Sequence, residues 1–252
     1  MGMGIQIFSA APQARRDLPF YNGRPRRLSA AGWWAVLLAC AAGFLVLTIA
    51  PTGITGWPGR VTAVAIFVLA PVVALRWAAG ADWRAFLPAP RPSDLAIGLI
   101  FALVSIAASL LVAYGVFLLG ESRGNPVING MLATTGWPLA GFAALSALQL
   151  LGEELITLLP LLAVLAWLHG RGVSRPRAIL AAWLVSSALF AALHLPTYDW
   201  RILQVFSVIG VARLVLTLPY LITKTPWASA VAHIINDGLE LGLALAFASA
   251  PG

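Results

Sequence analysis

The chain has 252 residues, of which 60% are hydrophobic and only 10% are charged. Soluble domains carry about 25% charged residues, so this chain lacks the polar side chains that would cover a water-soluble globule. The composition excludes a disordered chain, a disulfide-rich scaffold and an ordinary cytosolic enzyme, and it predicts an integral membrane protein. The net charge of +7 is interpreted as a topology signal, because no polar domain carries a nucleic-acid-binding face.

Seven apolar stretches predict seven membrane-spanning segments. Alternating strand patterns are absent and Ala, Leu and Val dominate, so each stretch is predicted to be a helix. In chain order the stretches are Gly32–Ala50, Val61–Ala79, Asp94–Leu119, Trp137–Trp167, Ala178–Leu195, Ile202–Ile222 and Trp227–Ala248. The predicted fold is an all-α polytopic transmembrane helix bundle with a four-helix core in its C-terminal half. The predicted regions are a basic arm over 1–30, three helices over 31–136 and the core over 137–252.

The distribution of basic residues predicts the orientation of the bundle. With the N-terminus in the cytoplasm, twelve Lys and Arg residues fall on the cytoplasmic side and three on the other, as the positive-inside rule requires. The C-terminus is then outside, and an inner or cytoplasmic membrane is expected. No removable signal peptide is predicted. The basic arm suits a partner protein or anionic lipid and is too polar to fold without support.

Ionisable residues inside the apolar stretches mark the candidate site, because each costs about 2.5–3.5 kcal/mol to insert in a membrane. They are Glu153 and Glu154 in the fourth stretch, His194 in the fifth, Arg213 in the sixth, and His233, Asp237 and Glu240 in the seventh. The last three are spaced i, i+4 and i+7, so they share one helix face. We expect that face to point into the bundle.

Two carboxylates and two imidazoles on three helices can form a hydrolytic site. A glutamate can take a proton from water, one histidine can hold that water directly or through a metal, and the other can donate to an oxyanion. Glu153 and Glu154 point about 100° apart on a helix, so one is expected to react and the other to brace it. Glu and His also suit zinc, although no His-Glu-x-x-His spacing occurs.

Other interpretations of these residues stay open at this point. Arg213 is most simply a counter-ion for the carboxylates, and Glu240 completes that network. His194 and His233 are alternatively core histidines or ligands of a haem or pigment, and a transporter also contains buried charges. Cys40 is interpreted as a small buried hydrophobic residue.

Three short motifs occur in order on separate apolar stretches: Glu153-Glu154, Phe190-x-x-x-His194 and His233-x-x-x-Asp237. Together they resemble the motifs of the CPBP family, the CAAX-processing and bacteriocin-processing (abortive-infection) intramembrane proteases. The resemblance covers roughly residues 137–240.

The resemblance implies a role for each motif residue. Glu153 would activate water with support from Glu154, His194 would position the water or a metal, and His233 and Asp237 would face the scissile carbonyl. A zinc or other divalent ion on Glu153, His194 and His233 is an implied cofactor, and the family's use of metal or of glutamate alone stays open. The implied partners are the lipid bilayer and a membrane-associated peptide or protein, including prenylated C-termini, and no nucleic acid.

Two departures from the family pattern affect this interpretation. The first motif usually continues Glu-Glu-x-x-x-Arg, whereas position 158 is Leu158, so Arg213 would have to supply the charge from another helix. The last motif has Asp237 where Asn is common, and an ionised Asp cannot donate to an oxyanion. Asn236 is adjacent but about 100° away around the helix. These departures support an alternative function: a catalytically impaired scaffold, assembly factor or subunit of a larger membrane complex.

The predicted depths of the two histidines differ. His194 lies about 24 Å from the cytoplasmic start of its stretch and His233 about 9 Å from the start of its own, at roughly 1.5 Å per residue. Convergence therefore requires a deep Lys224–Trp227 connection or an earlier start of the fifth stretch.

Overall fold

The computed structural model describes residues 16–49, 56–124 and 137–248, apart from the side chains of 137, 138 and 244–248. Within these ranges the regular secondary structure is all helical, and the predicted all-α bundle is confirmed. The long helices are α1 (Ala30–Ile49), α2 (Trp57–Ala79), α3 (Pro92–Leu118), α4 (Trp137–Gly170), α5 (Arg175–Leu193), α6 (Ile202–Thr223) and α7 (Pro226–Ala248). A 3-10 helix, Gly80–Phe86, follows α2, and a 3-10 turn, Pro196–Tyr198, precedes α6. The second turn of α6 is π-helical over Val205–Ile209.

Six of these helices, α1 to α6, are long and apolar enough to cross a membrane. The seventh predicted stretch does form a helix, but α7 is not among those six in the part of the chain that the structure describes. Its centre holds His233, Asn236, Asp237 and Glu240, and polar residues of this kind lower the hydropathy of a span. The polar helix is therefore the one that carries half of the candidate site.

Proline marks the start of several helices. Pro58, Pro92 and Pro176 occupy the first turns of α2, α3 and α5, and α7 begins at Pro226. The first backbone N–H groups of a helix have no partner within it, so the missing N–H of proline costs little there.

Helix α4 is the central element of the bundle and packs against α1, α2, α5 and α7. Its second half presents fully buried leucines to the core: Leu158, Leu159, Leu161, Leu162 and Leu165. Gly152 allows close contact with α2, because a Cβ at this position would lie 2.4 Å from the Phe67 ring. On the other side α3 packs against α6 and α7. Cys40 in α1 is buried, as expected.

The turn between α6 and α7 lies deep in the bundle. Glu154 is about 24 Å along α4 from Gly170, whereas His233 is about 10 Å along α7 from Pro226, yet the two side chains are in contact. The α6–α7 turn is therefore recessed by roughly 14 Å relative to the α4–α5 turn. The sequence analysis gave two ways for the histidines to converge, and the structure has the first of them, a deep Lys224–Trp227 connection. It makes Lys224 a buried residue, 6% exposed, and not part of an open loop.

Residues 16–29, the N-terminal segment, cover this recessed turn. Leu18 and Phe20 are buried in the same core cluster as Tyr220 of α6. Asp17 forms an ion pair with Arg175 of α5, with a distance of 2.5 Å between Oδ1 and Nη2. The basic arm was expected to fold only where something holds it, and over residues 16–29 the chain's own helices do so. Residues 1–15 of the arm lie outside the described ranges. We call this side of the molecule, where α1 and α5 begin, the arginine-rich end.

Candidate active site

The centre of the site is the carboxylate of Glu154 on α4, which is 3% exposed. Its Oε1 accepts two donors: Nη1 of Arg213 at 2.8 Å and Nδ1 of His233 at 2.9 Å. Its Oε2 accepts the hydroxyl of Ser229. Side chains from α4, α6 and α7 thus meet at one buried carboxylate, and charge-assisted hydrogen bonds of this kind are stronger than neutral ones.

Arg213 is the counter-ion of this carboxylate, as expected from the sequence. The side chain is 1% exposed, and its remaining nitrogens donate to Thr217 Oγ1 and Ser229 Oγ, each at 3.3 Å. An arginine therefore does stand beside the glutamate pair, but it comes from α6. Position 158, where the family pattern has arginine, is a fully buried leucine packed in the core.

His233 is oriented by Glu154. Because Nδ1 donates its hydrogen to the Glu154 carboxylate, Nε2 is the nitrogen that faces the rest of the site. This Nε2 lies 3.9 Å from Oε2 of Glu153 and 3.7 Å from Oδ1 of Asp237. The other oxygen of Glu153 accepts a hydrogen bond of 3.0 Å from Gln149. The two adjacent glutamates therefore have different environments, one held by three donors and one facing the imidazole.

His194 lies at the C-terminal end of α5, where it caps the helix. Its Nδ1 donates to the carbonyl oxygen of Phe190 at 3.0 Å, which leaves Nε2 with a free lone pair. The Phe190 ring centroid lies 4.7 Å from the His194 ring and 6.2 Å from the His233 ring. The two predicted histidines therefore pack against the same aromatic ring, that of Phe190.

The polar face of α7 is buried only at its His233 end. Asp237 has a side chain that is 35% exposed, and Glu240 is exposed. The prediction that this whole face points into the bundle is therefore wrong for Glu240. Residues 238–240 are all exposed, so α7 has passed beyond the packed core at that point. Asn236 donates to Asp237 Oδ1 and Glu240 Oε1, both at 3.1 Å, and connects the two carboxylates.

Sequence reasoning missed four polar residues of this site. Ser229 and Gln149 each lie one helical turn before a recognised residue, His233 and Glu153, and Thr217 lies one turn after Arg213. An i±4 search for polar partners would have found all three. The fourth is Tyr198 in the turn after α5, which no spacing indicated.

Tyr198 is buried near the acidic side of the site. Burial raises the pKa of its phenol to about 12, and the negative charges of Glu240, Asp237 and Glu153 contribute to the rise. The hydroxyl therefore stays protonated at neutral pH and can act as a donor.

The side chains include the donor types that zinc uses, namely imidazole nitrogen and carboxylate oxygen. Among the described residues, however, no three His, Cys, Asp or Glu side chains are grouped so as to hold a metal ion. The hydrogen bonds of His233 Nδ1 to Glu154 and of His194 Nδ1 to Phe190 leave both Nε2 atoms free, as in histidines that bind a metal through Nε2. Because the described residues contain no group of three such side chains, no reaction step is derived through a metal.

Comparison with known proteins gives one match, which covers the part of the chain that holds the candidate site. Residues 135–239 match the family model described as "Type II CAAX prenyl endopeptidase Rce1-like". No curated protein and no solved structure matches the chain. The matched residues include α4, α5, α6 and the half of α7 that carries His233 and Asp237. The resemblance found in the motifs is confirmed to this extent: residues 135–239 match a model of CAAX-type endopeptidases, the kind of family that the motifs resemble.

Proposed function

We propose that this protein is an intramembrane endopeptidase that hydrolyses a peptide bond of a membrane-associated or prenylated substrate. The observation that carries the proposal is the difference between the environments of the two glutamates. Glu154 is saturated by three donors, whereas Glu153 faces Nε2 of His233 across 3.9 Å. That distance is too long for a direct hydrogen bond, but it allows one water molecule to contact both atoms.

Glu153 is the general base in this proposal. It removes a proton from the water as the oxygen attacks the scissile carbonyl, and it returns the proton to the leaving amine as the tetrahedral intermediate collapses. Gln149 keeps one of its oxygens in place, so the other is directed to the water. His194, whose Nε2 carries a free lone pair, accepts the second hydrogen of the water and fixes its orientation.

His233 supplies the oxyanion donor. With Nδ1 bound to Glu154, the protonated ring donates from Nε2 to the developing negative charge on the carbonyl oxygen. Glu154 acts through His233: it fixes the ring's orientation and stabilises its positive charge, as a buried carboxylate does for a catalytic histidine in other hydrolases. Arg213 in turn holds the Glu154 carboxylate in place. Tyr198 is available as a second donor on the acidic side.

The test substitutes the proposed base and the proposed water-positioning histidine, and compares them with an exposed carboxylate. Glu153→Gln keeps the size and the contact to Gln149 but cannot take a proton, so cleavage of a prenylated CAAX peptide in proteoliposomes should fall at least a hundredfold with unchanged thermal stability. His194→Ala should also abolish cleavage. The matched control is Glu121→Gln, an exposed carboxylate outside the site, which should cleave at the wild-type rate. Full cleavage by both Glu153→Gln and His194→Ala would refute the proposed chemistry.

A metal-assisted version of the same reaction stays a proposal implied by the family. Glu153, His194 and His233 would be the ligands of a zinc or similar ion. Metal content of the purified protein measured by mass spectrometry, with His194→Ala as comparison, tests it. A stoichiometric ion that the substitution removes supports the metal site; a metal-free protein that cleaves its substrate contradicts it.

The alternative function, a scaffold or subunit without chemistry, rests on one observation. Asp237 lies 3.7 Å from Nε2 of His233, in the position where an amide would donate to the substrate. Purification from native membranes separates the two functions. A stoichiometric complex together with an absence of cleavage would favour the subunit role, and a solitary, cleaving protein would exclude it.

A further inference from the structure

A cavity lies at the arginine-rich end, between the N-terminal segment, α1 and the last turns of α4. Its volume is about 780 Å³, within the range of ligand pockets. Its apolar wall includes Trp33, Trp34 and Leu37 from α1 and Trp167 from α4. Trp167 is about 20 Å along α4 from Glu154, so the cavity is separate from the candidate active site.

Two arginines stand at this cavity, Arg27 from the N-terminal segment and Arg171 just after α4. Both are exposed. The guanidinium carbon of Arg171 lies 4.0 Å above the Trp167 ring, a cation–π contact that holds the charge beside the apolar wall. No carboxylate is among the lining residues in the described part of the chain, so the cavity presents a positive edge and an aromatic interior.

Of the arginines described at this end, those that line the cavity are Arg27 and Arg171. Arg16 and Arg175 form ion pairs of 2.5 Å with aspartates of the chain. Within the described ranges, neither Arg27 nor Arg171 has a carboxylate in ion-pair contact. Two unpaired cations on one cavity fit an anionic ligand that comes from outside the chain.

We propose that this cavity binds one anionic phospholipid, with its phosphate on Arg27 and Arg171 and an acyl chain against the tryptophans. Trp34 and Trp167 are 64% and 55% exposed, so the cavity opens at the surface of the bundle, where a lipid can enter. Tryptophan is typical of the headgroup level of a membrane, and basic pockets between transmembrane helices bind anionic headgroups. A small free phosphate would leave the apolar wall unused.

Native mass spectrometry of the detergent-purified protein tests this site, with phosphatidylglycerol and phosphatidylcholine as the two probes. We expect a single phosphatidylglycerol adduct that binds at least tenfold more tightly than phosphatidylcholine. Each arginine near anionic lipid contributes about a factor of five. The double variant Arg27→Gln/Arg171→Gln should therefore bind phosphatidylglycerol about twenty-five-fold more weakly.

A matched double variant controls for overall charge. Arg84→Gln/Arg177→Gln removes two exposed arginines that do not line the cavity, and it should bind phosphatidylglycerol as the wild type does. A third variant, Ala166→Trp, keeps both arginines but fills the cavity, and it should also lose the adduct. Equal binding of the two lipids, or equal losses in the two double variants, would overturn the proposal. A dimer peak in place of the lipid adduct would assign the cavity to a second copy and overturn it as well.

Discussion

The buried pair between Arg213 and Glu154 yields the sharpest prediction for stability. The change is Arg213→Met, which keeps an unbranched side chain of similar length and removes the guanidinium. Arg213 is 1% and Glu154 3% exposed, with 2.8 Å between Nη1 and Oε1. The substitution leaves a carboxylate in the core without its cation, while Thr217 and Ser229 each lose a donor.

The loss in free energy of unfolding depends on how many donors still bind the Glu154 carboxylate in the variant. Removing one partner of a buried ion pair costs about 3–5 kcal/mol. Two of the three donors to Glu154, His233 and Ser229, stay in place, so we expect a loss near the lower limit, about 3 kcal/mol. For a chain of this length, about 2–4 °C of melting temperature corresponds to 1 kcal/mol, which predicts a fall of roughly 6–12 °C.

The assay is thermal unfolding in detergent of a complete mutant cycle. The double variant Glu154→Gln/Arg213→Met contains no unpaired buried charge, so it should melt at a higher temperature than Arg213→Met alone. An exposed pair serves as control: Arg123 and Asp199 are in contact with side chains 52% and 57% exposed. Exposed pairs contribute about 0–1 kcal/mol, so Arg123→Met should change the melting temperature by less than about 4 °C. Equal melting temperatures for Arg213→Met and Arg123→Met, or strictly additive losses in the cycle, would refute the reasoning.

Three further predictions concern single positions. Asp237→Asn supplies an amide donor beside Nε2 of His233, so peptide cleavage should be retained or increased; a loss of cleavage would show that the carboxylate itself is needed. Gly98→Ala in α3 would place a Cβ 2.6 Å from the carbonyl oxygen of Ala228 and should lower the melting temperature. Gly115→Ala meets no atom within 4 Å, so it should leave the free energy of unfolding unchanged or raise it by about 0.5–1 kcal/mol. The same melting temperature for both variants would contradict the close contact of α3 with α7. Burial lowers the pKa of Lys224 from 10.5 to about 8, so the unfolded chain binds the extra proton between these values. The free energy of unfolding should therefore rise from pH 8 to pH 10.5, by about 3 kcal/mol at most, and Lys224→Met should remove that rise in a pH series of melting curves.

Much of the fold was predictable because hydropathy and helix breakers are local properties. The helices begin and end within a few residues of the apolar stretches, and Pro92, Pro176 and Pro226 mark three of the starts. Helix α7, Pro226–Ala248, also matches its predicted stretch. Which end of its polar face is buried depends on the packing of α3, α4 and α6 around His233.

The candidate site was predictable in its residues but not in their roles. Ordered motifs identified Glu153, Glu154, His194 and His233, since charged residues in apolar stretches are rare and therefore informative. Adjacency in sequence could not say which glutamate braces and which reacts. The proposed assignment rests on Arg213 and Ser229, which come from other helices and have no fixed spacing to the pair.

The sequence by itself determined that this is a helical membrane protein with three ordered motifs on separate helices, because hydropathy and motif order are local properties of the chain. Only the tertiary structure decided that the α6–α7 turn is recessed, that Arg213 stands in for the arginine absent at Leu158, and that residues 16–29 fold back over the turn. The physical reason is common to all three. A buried charge selects its partner by distance across helices, and such distances depend on the relative depth of helices, which no local pattern encodes.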